Sequence, residues 1–198
     1  MSNIVLKQNK KVVLASASPR RRELLLNVGI NFECFSLSVS EMPLVENKGN
    51  VVVMHNALEK AKSLSREGWA VIGADTAVYL DGKGFGKPKN KEQAVQFLKE
   101  LSGKEHTVYT GIALVEGEFE VAKVVETKVK FRGLSENEIY SYVESGSPLD
   151  KAGAYGIQDF GGVFVEEIKG DYFNVVGLPI SSVYSLLLEN KVIEYVEE

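Results

Sequence analysis

The segment richest in candidate functional side chains contains two serine hydroxyls and three arginines. It reads S-A-S-P-R-R-R over residues 16–22, directly after an apolar run and before a helical pattern. The first turn of a helix presents free N–H groups that attract anions, and arginine offers paired donors that match phosphate oxygens. Cations there oppose the helix dipole, so local stability does not account for them. The segment predicts a phosphate site; the alternative is a capped helix with a solvated basic turn.

A second candidate is the acidic residue in G-A-D-T at residues 73–76. The apolar residues 70–74 predict a strand, and Asp75 then stands where that strand is expected to end. A carboxylate at a strand exit is well placed to face a cleft. The alternative is a turn or cap in which the side chain bonds its own backbone.

Two lysine-containing motifs are weaker signals. The glycine-rich stretch 82–88 resembles a phosphate-binding P-loop, but its spacing is one residue short and Pro88 replaces the required Ser or Thr. It therefore favours a hairpin turn with a basic tip. The run E-K-A-K at residues 59–62 has the spacing of a solvated helix face with charge pairs.

The loop 150–158 combines small residues with a lysine, a tyrosine and a glutamine. Small residues allow a ligand to approach the backbone closely, and the Gln158 amide can both donate to and accept from a base edge. A purely structural loop is the alternative. His55 and His106 are far apart in sequence and have no partner pattern, so we expect both to be non-catalytic.

The elements that position these residues are predicted to be α/β, with a mixed sheet and flanking helices, because strands and helices mix without strict alternation. Predicted strands cover residues 12–15, 70–74, 107–115, 119–131, 163–168 and 172–176. Predicted helices cover residues 19–28, 51–66, 91–101, 135–143 and 179–188. The helix at 51–66 is expected to pack through Met54, Leu58, Ala61 and Ser65.

Whole-chain properties narrow the function classes. A chain of 198 residues is expected to form one domain, with a net charge of −4 that disfavours a general nucleic-acid surface. Neither a signal peptide nor a membrane-spanning run is apparent. The single cysteine, Cys34, is expected to be buried and, lacking a disulfide partner, to indicate a cytoplasmic location.

Taken in order, these segments resemble the Maf family of nucleotide pyrophosphatases. The matching blocks are L-A-S-A-S-P-R-R, E-K-A, G-A-D-T, G-K-P, L-S-G-x-x-H-x-V-Y-T, P-L-D-K-A-G-A-Y-G-I-Q and V-V-G-L-P. The resemblance implies a single domain over residues 1–198 with two lobes around a deep cleft, similar to inosine-triphosphate pyrophosphatases. It also implies hydrolysis between the α and β phosphates with a divalent metal, Mg²⁺ or Mn²⁺.

The same resemblance implies a role for each site residue. Asp75 takes the catalytic acidic position, where it would act on a metal-bound water or bind the metal itself. Glu41, from an early loop that is less acidic than usual in the family, would help to hold the metal. The phosphate end would be lined by Ser16, Arg20, Arg21, Lys60 and Lys87.

Three further positions indicate a subfamily. Arg20, Thr76 and Gln158 are similar to the branch acting on dTTP and UTP, and differ from the branch acting on 7-methyl-GTP. The partner is then a nucleoside triphosphate rather than nucleic acid or membrane, and a homodimer is left open. The alternative function is a non-catalytic, nucleotide-binding regulator of cell division or septum formation.

Overall fold

The structure is a computed structural model that describes residues 6–196. Its strands are β1 (Leu6–Gln8), β2 (Lys11–Ala15), β3 (Phe32–Phe35), β4 (Trp69–Leu80), β5 (Lys83–Phe85), β6 (Glu105–Glu116), β7 (Phe119–Phe131), β8 (Val165–Lys169) and β9 (Ile193–Tyr195). Its α-helices are α1 (Pro19–Asn27), α2 (Gly49–Lys62), α3 (Lys91–Leu101), α4 (Glu136–Glu144), α5 (Tyr172–Val176) and α6 (Ile180–Glu189). Short 3₁₀ segments occupy Ser147–Asp150, Ala152–Ala154 and Phe160–Phe164.

A mixed seven-stranded sheet organises the fold. Its strand order is β3-β2-β4-β6-β7-β8, and β5 pairs with β4. Strand β2 runs parallel to β3 and β4, whereas the other pairs are antiparallel. Strands β1 and β9 form a separate antiparallel pair. The predicted α/β class with a mixed sheet and flanking helices is confirmed.

Strand β4 separates the hydrophobic core into regions because successive side chains of a strand point to opposite faces. Val71, Ala77 and Tyr79 pack in clusters with residues of α2. On the other face, Ile72 joins a cluster with residues of α1 and α6, whereas Val78 joins a second cluster with residues of α3 and α4. Thr76 lies between Ile72 and Val78 in the middle of the strand, so it stands between the residues that β4 contributes to these two clusters.

Helix α2 lies directly on the sheet because two glycines leave room for its backbone. A Cβ at Gly73 would stand 2.1 Å from the carbonyl oxygen of Ala57, and one at Gly111 would stand 2.2 Å from that of Val53. The prediction that Met54 belongs to the buried stripe of this helix is wrong, because its side chain is 38% exposed. The face that packs is chosen by the glycines beneath it rather than by the larger apolar side chains.

The segment 172–176 is helix α5, so its predicted pairing as a strand is wrong. The Asp171 side chain accepts hydrogen bonds from the backbone N–H groups of Phe173 and Asn174, which caps the helix start. Gly177 ends the helix with a φ of 119°. Strand β8 pairs with β7 instead.

Other predictions hold closely. Helix α3 has the predicted bounds, and α4 begins with the capping box predicted from Ser135 and Glu138. The predicted burial of Cys34 is wrong, because β3 is an edge strand and the cysteine is exposed. Within residues 6–196, no helix has the length and apolar character needed to cross a membrane.

Candidate active site

The candidate site lies at an interruption in the edge of β4. One edge of β4 pairs with β6 over Val71–Tyr79. The other edge pairs with β2 as far as Gly73 and with β5 from Val78 onward, so residues 74–77 have no strand partner there. A cavity of about 410 Å³ opens at this gap and is lined by Asp75 and Thr76.

The prediction that the strand ends at Asp75 is wrong, because β4 continues to Leu80. Strand length was underestimated since Asp75 and Thr76 interrupt the apolar pattern. The parallel partner β2, however, does end at Ala15, opposite Gly73. Asp75 therefore follows the carboxyl end of the parallel pair, which is where α/β sheets commonly bind ligands.

Both oxygens of Asp75 are held by side chains of α2. Lys60 Nζ donates to Oδ1 at 2.6 Å, and Asn56 Nδ2 donates to Oδ2 at 3.1 Å. Lys60 Nζ also lies 2.8 Å from Oε1 of Glu41. The Lys60 side chain is 17% exposed, so interpreting residues 59–62 as a solvated face is wrong at this position.

Asn56 is a site residue that sequence reasoning missed. It is buried, and its amide also bonds the backbone N–H and carbonyl of Met42. The available signal was its spacing, four residues before Lys60, which places both side chains on one helix face.

Arg21 bonds four acceptors within the protein. Its guanidinium donates to Gly177 O at 2.7 Å, Ala74 O at 2.9 Å, Thr76 Oγ1 at 3.0 Å and Ser16 Oγ at 3.2 Å. The bond to Ala74 satisfies a carbonyl in the stretch of β4 that lacks a strand partner. Loss of hydration lowers the pKa of Arg21, and the nearby charge of Asp75 opposes that effect.

Arg20 projects to another wall of the cavity. Its Nη1 lies 2.7 Å from Oδ2 of Asp150, and its Nη2 donates to the Asp150 carbonyl. Partial burial would raise the pKa of Asp150, but hydrogen bonds and charge from Lys151 and Arg20 outweigh it, so the pKa is lowered. Lys87 is exposed on the cavity rim and makes no salt bridge with any residue in the 6–196 range.

Of the three positions that indicate the subfamily, Thr76 and Gln158 have different surroundings from each other. The Thr76 hydroxyl accepts from Arg21 and lies 3.0 Å from Oγ1 of Thr110, so protein partners already engage it. Gln158 is exposed and lines the cavity wall. His106 is buried away from the cavity lining, where it bonds the Tyr155 hydroxyl at 2.9 Å.

The structure thus brings all of the predicted site residues to one place. The main cavity is lined by Arg20, Arg21, Glu41, Lys60, Asp75, Thr76, Lys87 and Gln158. Ser16 lines an adjoining cavity that shares Arg20, Arg21, Glu41, Lys60 and Lys87.

Two acidic side chains of the cavity lie close enough together to be tested as ligands of a divalent cation. The carboxylates of Asp75 and Glu41 both contact the Lys60 ammonium, so they converge on one positive charge. No group of three or more His, Cys, Asp or Glu suited to a metal occurs among the described residues. Mg²⁺ commonly uses one or two carboxylates and completes its coordination with water and substrate phosphates. Two converging carboxylates are compatible with that arrangement.

Comparison with solved structures supports the fold. A HAM1 protein from Coxiella burnetii superposes with a TM-score of 0.50 at 15% identity, over 91% of this chain and 99% of that chain. At this identity the likeness concerns the fold alone.

Comparison with known sequences is more specific. A dTTP/UTP pyrophosphatase from Thermoanaerobacter sp. (strain X514) is 47% identical over 182 residues, which cover 89% of this chain and 95% of that protein. A dTTP/UTP pyrophosphatase from Thermotoga maritima is 49% identical over 183 residues, covering 90% and 89%. The family described as Maf-like protein matches residues 11–190. With the predicted residues gathered around one cavity, these matches show that the chain belongs to the Maf-like protein family.

Proposed function

We propose that this protein hydrolyses dTTP and UTP between the α and β phosphates, releasing pyrophosphate and the nucleoside monophosphate. The observation that carries the proposal is a carboxylate, Asp75, held at both oxygens in a cavity walled by Arg20, Lys60 and Lys87. The dTTP/UTP pyrophosphatases that are nearly half identical over about nine tenths of the chain support the same activity.

The basic side chains would bind the triphosphate. Arg20 presents a planar pair of donors, which now bond the carboxylate and the carbonyl oxygen of Asp150 and could equally donate to phosphate oxygens. Lys87 adds a cation at the rim. Ser16 and Arg21 would support this end mainly by fixing the start of α1 against β4, since Arg21 uses its donors within the protein.

Asp75 would act as the base that accepts a proton from the attacking water. Its two donors from α2 hold the carboxylate in one orientation, and correct positioning is a major part of phosphoryl-transfer catalysis. Asp75 and Glu41 would also hold the divalent metal, Mg²⁺ or Mn²⁺. When bound, that ion supplies charge neutralisation on the phosphates and Lewis acidity.

Base selection would fall to the loop that carries Gln158. Thymine and uracil present a ring N–H between two carbonyls, and a carboxamide can accept from the first while donating to a carbonyl. Cytosine lacks that ring N–H. Thr76 would contribute indirectly through Arg21, because its hydroxyl already bonds that guanidinium.

We propose that two parts of the core are the two lobes of the single domain, with the cavity between them. One lobe would contain the cluster built on α1 and α6, and the other the cluster built on α3 and α4. The central strands β4 and β6 contribute to both clusters, so the lobes share one sheet.

The proposal is tested by replacing Asp75 with Asn and measuring pyrophosphate release from dTTP with Mg²⁺. We expect turnover to fall by at least a hundredfold, while binding of a non-hydrolysable dTTP analogue stays within about threefold, since the amide keeps the shape but cannot accept the proton. Asp81→Asn, in the exposed β4–β5 turn, is the matched control and should retain activity.

Two outcomes would contradict the assignment. Turnover of Asp75→Asn within about threefold of wild type, less than 1 kcal/mol of barrier, removes Asp75 from the mechanism. A wild-type protein that binds dTTP but releases no pyrophosphate favours the non-catalytic regulator instead.

A further inference from the structure

The side chain of Asn56 is a buried polar group that the proposed chemistry does not use directly. It is 2% exposed, at the middle of α2. Its Oδ1 accepts from the Met42 backbone N–H at 2.7 Å, and its Nδ2 donates to Met42 O at 3.2 Å and to Asp75 Oδ2 at 3.1 Å. Only an amide can accept and donate in this way at once, so the residue type is matched to its partners.

These bonds connect two separate segments of the site. Met42 follows Glu41 directly, so the paired bonds to its backbone hold the loop that carries this carboxylate against α2. The third bond reaches Asp75 on β4. One buried amide therefore ties together the strand and the loop that supply the two acidic groups.

The same amide restricts the rotation of Asp75. The terminal torsion of an aspartate is broad, so a carboxylate with one partner can turn about its axis. Lys60 Nζ holds Oδ1, and Asn56 Nδ2 holds Oδ2. Both donors project from α2, which lies directly on the sheet because Gly73 and Gly111 have no side chain. The positions of the two donors relative to β4 are therefore fixed.

We propose that Asn56 is a positioning residue, which sets the orientation of Asp75 and its spacing from Glu41. This inference rests on the proposed pyrophosphatase function and assigns Asn56 no contact with substrate. The side chain acts through the two carboxylates that it places.

Two substitutions test the proposal. Asn56→Asp keeps the size of the side chain and the acceptor for the Met42 N–H, but it loses both Nδ2 bonds, to Asp75 Oδ2 and to Met42 O, and turns a carboxylate towards Asp75. Asn56→Ala removes every side-chain bond and keeps the test decisive if the first variant does not fold. Asn190→Asp is the matched control, because the Asn190 amide donates to Leu186 O at the end of α6 and lines neither cavity.

The readouts separate positioning from a general loss of stability. For Asn56→Asp, we expect kcat for dTTP to fall at least tenfold with KM within about threefold, while Asn190→Asp changes neither by more than twofold. For Asn56→Ala, we expect the Mn²⁺ concentration for half-saturation, measured by electron paramagnetic resonance with the metal alone, to rise at least fivefold. Folding of each variant is checked by circular dichroism.

The proposal is overturned if folded Asn56→Asp keeps its kcat within threefold, or if Asn56→Ala binds Mn²⁺ as wild type does. The metal titration requires no turnover. Absence of pyrophosphate release by wild type would therefore refute the proposed function, while the Mn²⁺ result would still decide the role of Asn56. A wild type that binds no Mn²⁺ would overturn the spacing role as well.

Discussion

At the scale of single residues, the cations of the site divide into two kinds. Arg21 donates to the backbone carbonyl of Ala74, and Lys60 donates to the half-buried Asp75 carboxylate, so both cations hold groups of the protein itself in place. Arg20 and Lys87 lie on the accessible wall, where Arg20 bonds the well-exposed Asp150 carboxylate and the Asp150 carbonyl. The accessible pair is therefore better placed to bind the anionic part of an incoming nucleotide.

This division predicts the effect of removing the accessible cations. Arg20→Ala and Lys87→Ala should each weaken dTTP binding, or slow its turnover, at least tenfold, about 1.4 kcal/mol, because each loses a charged hydrogen bond to phosphate. Titration calorimetry with a non-hydrolysable analogue measures the binding. Arg22→Ala, an exposed member of the same turn outside both cavities, is the control. Normal hydrolysis by the double variant Arg20→Ala/Lys87→Ala would contradict the assignment.

The sequence could identify which residue types belong to the site but not all of their partners. Asp75 and the arginines were recognisable from their motifs. The bond from Arg21 to Ala74 O could not be recognised in this way. It depends on the gap along one edge of β4, between the end of its pairing with β2 and the start of its pairing with β5. Asn56 was missed because its signal in the sequence, the spacing of four residues before Lys60, does not by itself distinguish a site residue from any other residue on that helix face.

At the scale of elements, the position of α2 determines the geometry around Asp75. The helix supplies both of its donors and reaches them because Gly73 and Gly111 have no side chain. Amphipathic periodicity predicted the inner face of α3, where Ala94, Phe97, Leu98 and Leu101 are buried. It failed for α2, since the close approach depends on glycines distant in sequence.

Gly73→Ala tests this dependence. The new Cβ would stand 2.1 Å from the carbonyl oxygen of Ala57, so the backbone of α2 must move. We expect a loss of about 1–3 kcal/mol in the free energy of unfolding, as in overpacked cores, together with reduced kcat. Gly133→Ala, whose Cβ would meet nothing within 4 Å, should have little effect on either. Unchanged urea unfolding and kcat in Gly73→Ala would show that α2 need not lie this close.

At the scale of the whole molecule, the cluster around α3 and α4 contains a titratable group, His106. Burial lowers the pKa of His106 to about 4 from its usual 6.5, with Glu105 opposing that effect. Its ring packs against Phe131 and Tyr155 and bonds the Tyr155 hydroxyl. This tyrosine belongs to the loop that carries Gln158 and also lines the cavity, so the cluster supports one wall of the cavity.

The low pKa predicts how stability depends on pH. The unfolded chain binds a proton at His106 below about pH 6.5, whereas the native state does so only near pH 4. The contribution of neutral His106 to the free energy of unfolding is therefore complete above about pH 6.5. It is lost as the pH falls towards 4, by an amount on the order of 3 kcal/mol.

The measurement is the free energy of unfolding in urea between pH 4 and 7, for wild type and for His106→Gln, which keeps a polar partner for Tyr155 but does not titrate. The wild-type curve should fall more steeply in this window. Parallel curves for the two proteins would show that His106 does not contribute.

We propose that the cavity around Asp75 hydrolyses pyrimidine nucleoside triphosphates to the monophosphate and pyrophosphate. The most direct test is kcat/KM for pyrophosphate release from dTTP, UTP, CTP, dATP and GTP with Mg²⁺, with the products identified by ³¹P nuclear magnetic resonance. We predict pyrophosphate as the phosphorus product beside the monophosphate, with dTTP and UTP preferred at least tenfold, and loss of that preference in Gln158→Glu. Release of orthophosphate in place of pyrophosphate, or equal rates for purine and pyrimidine substrates, would contradict the account.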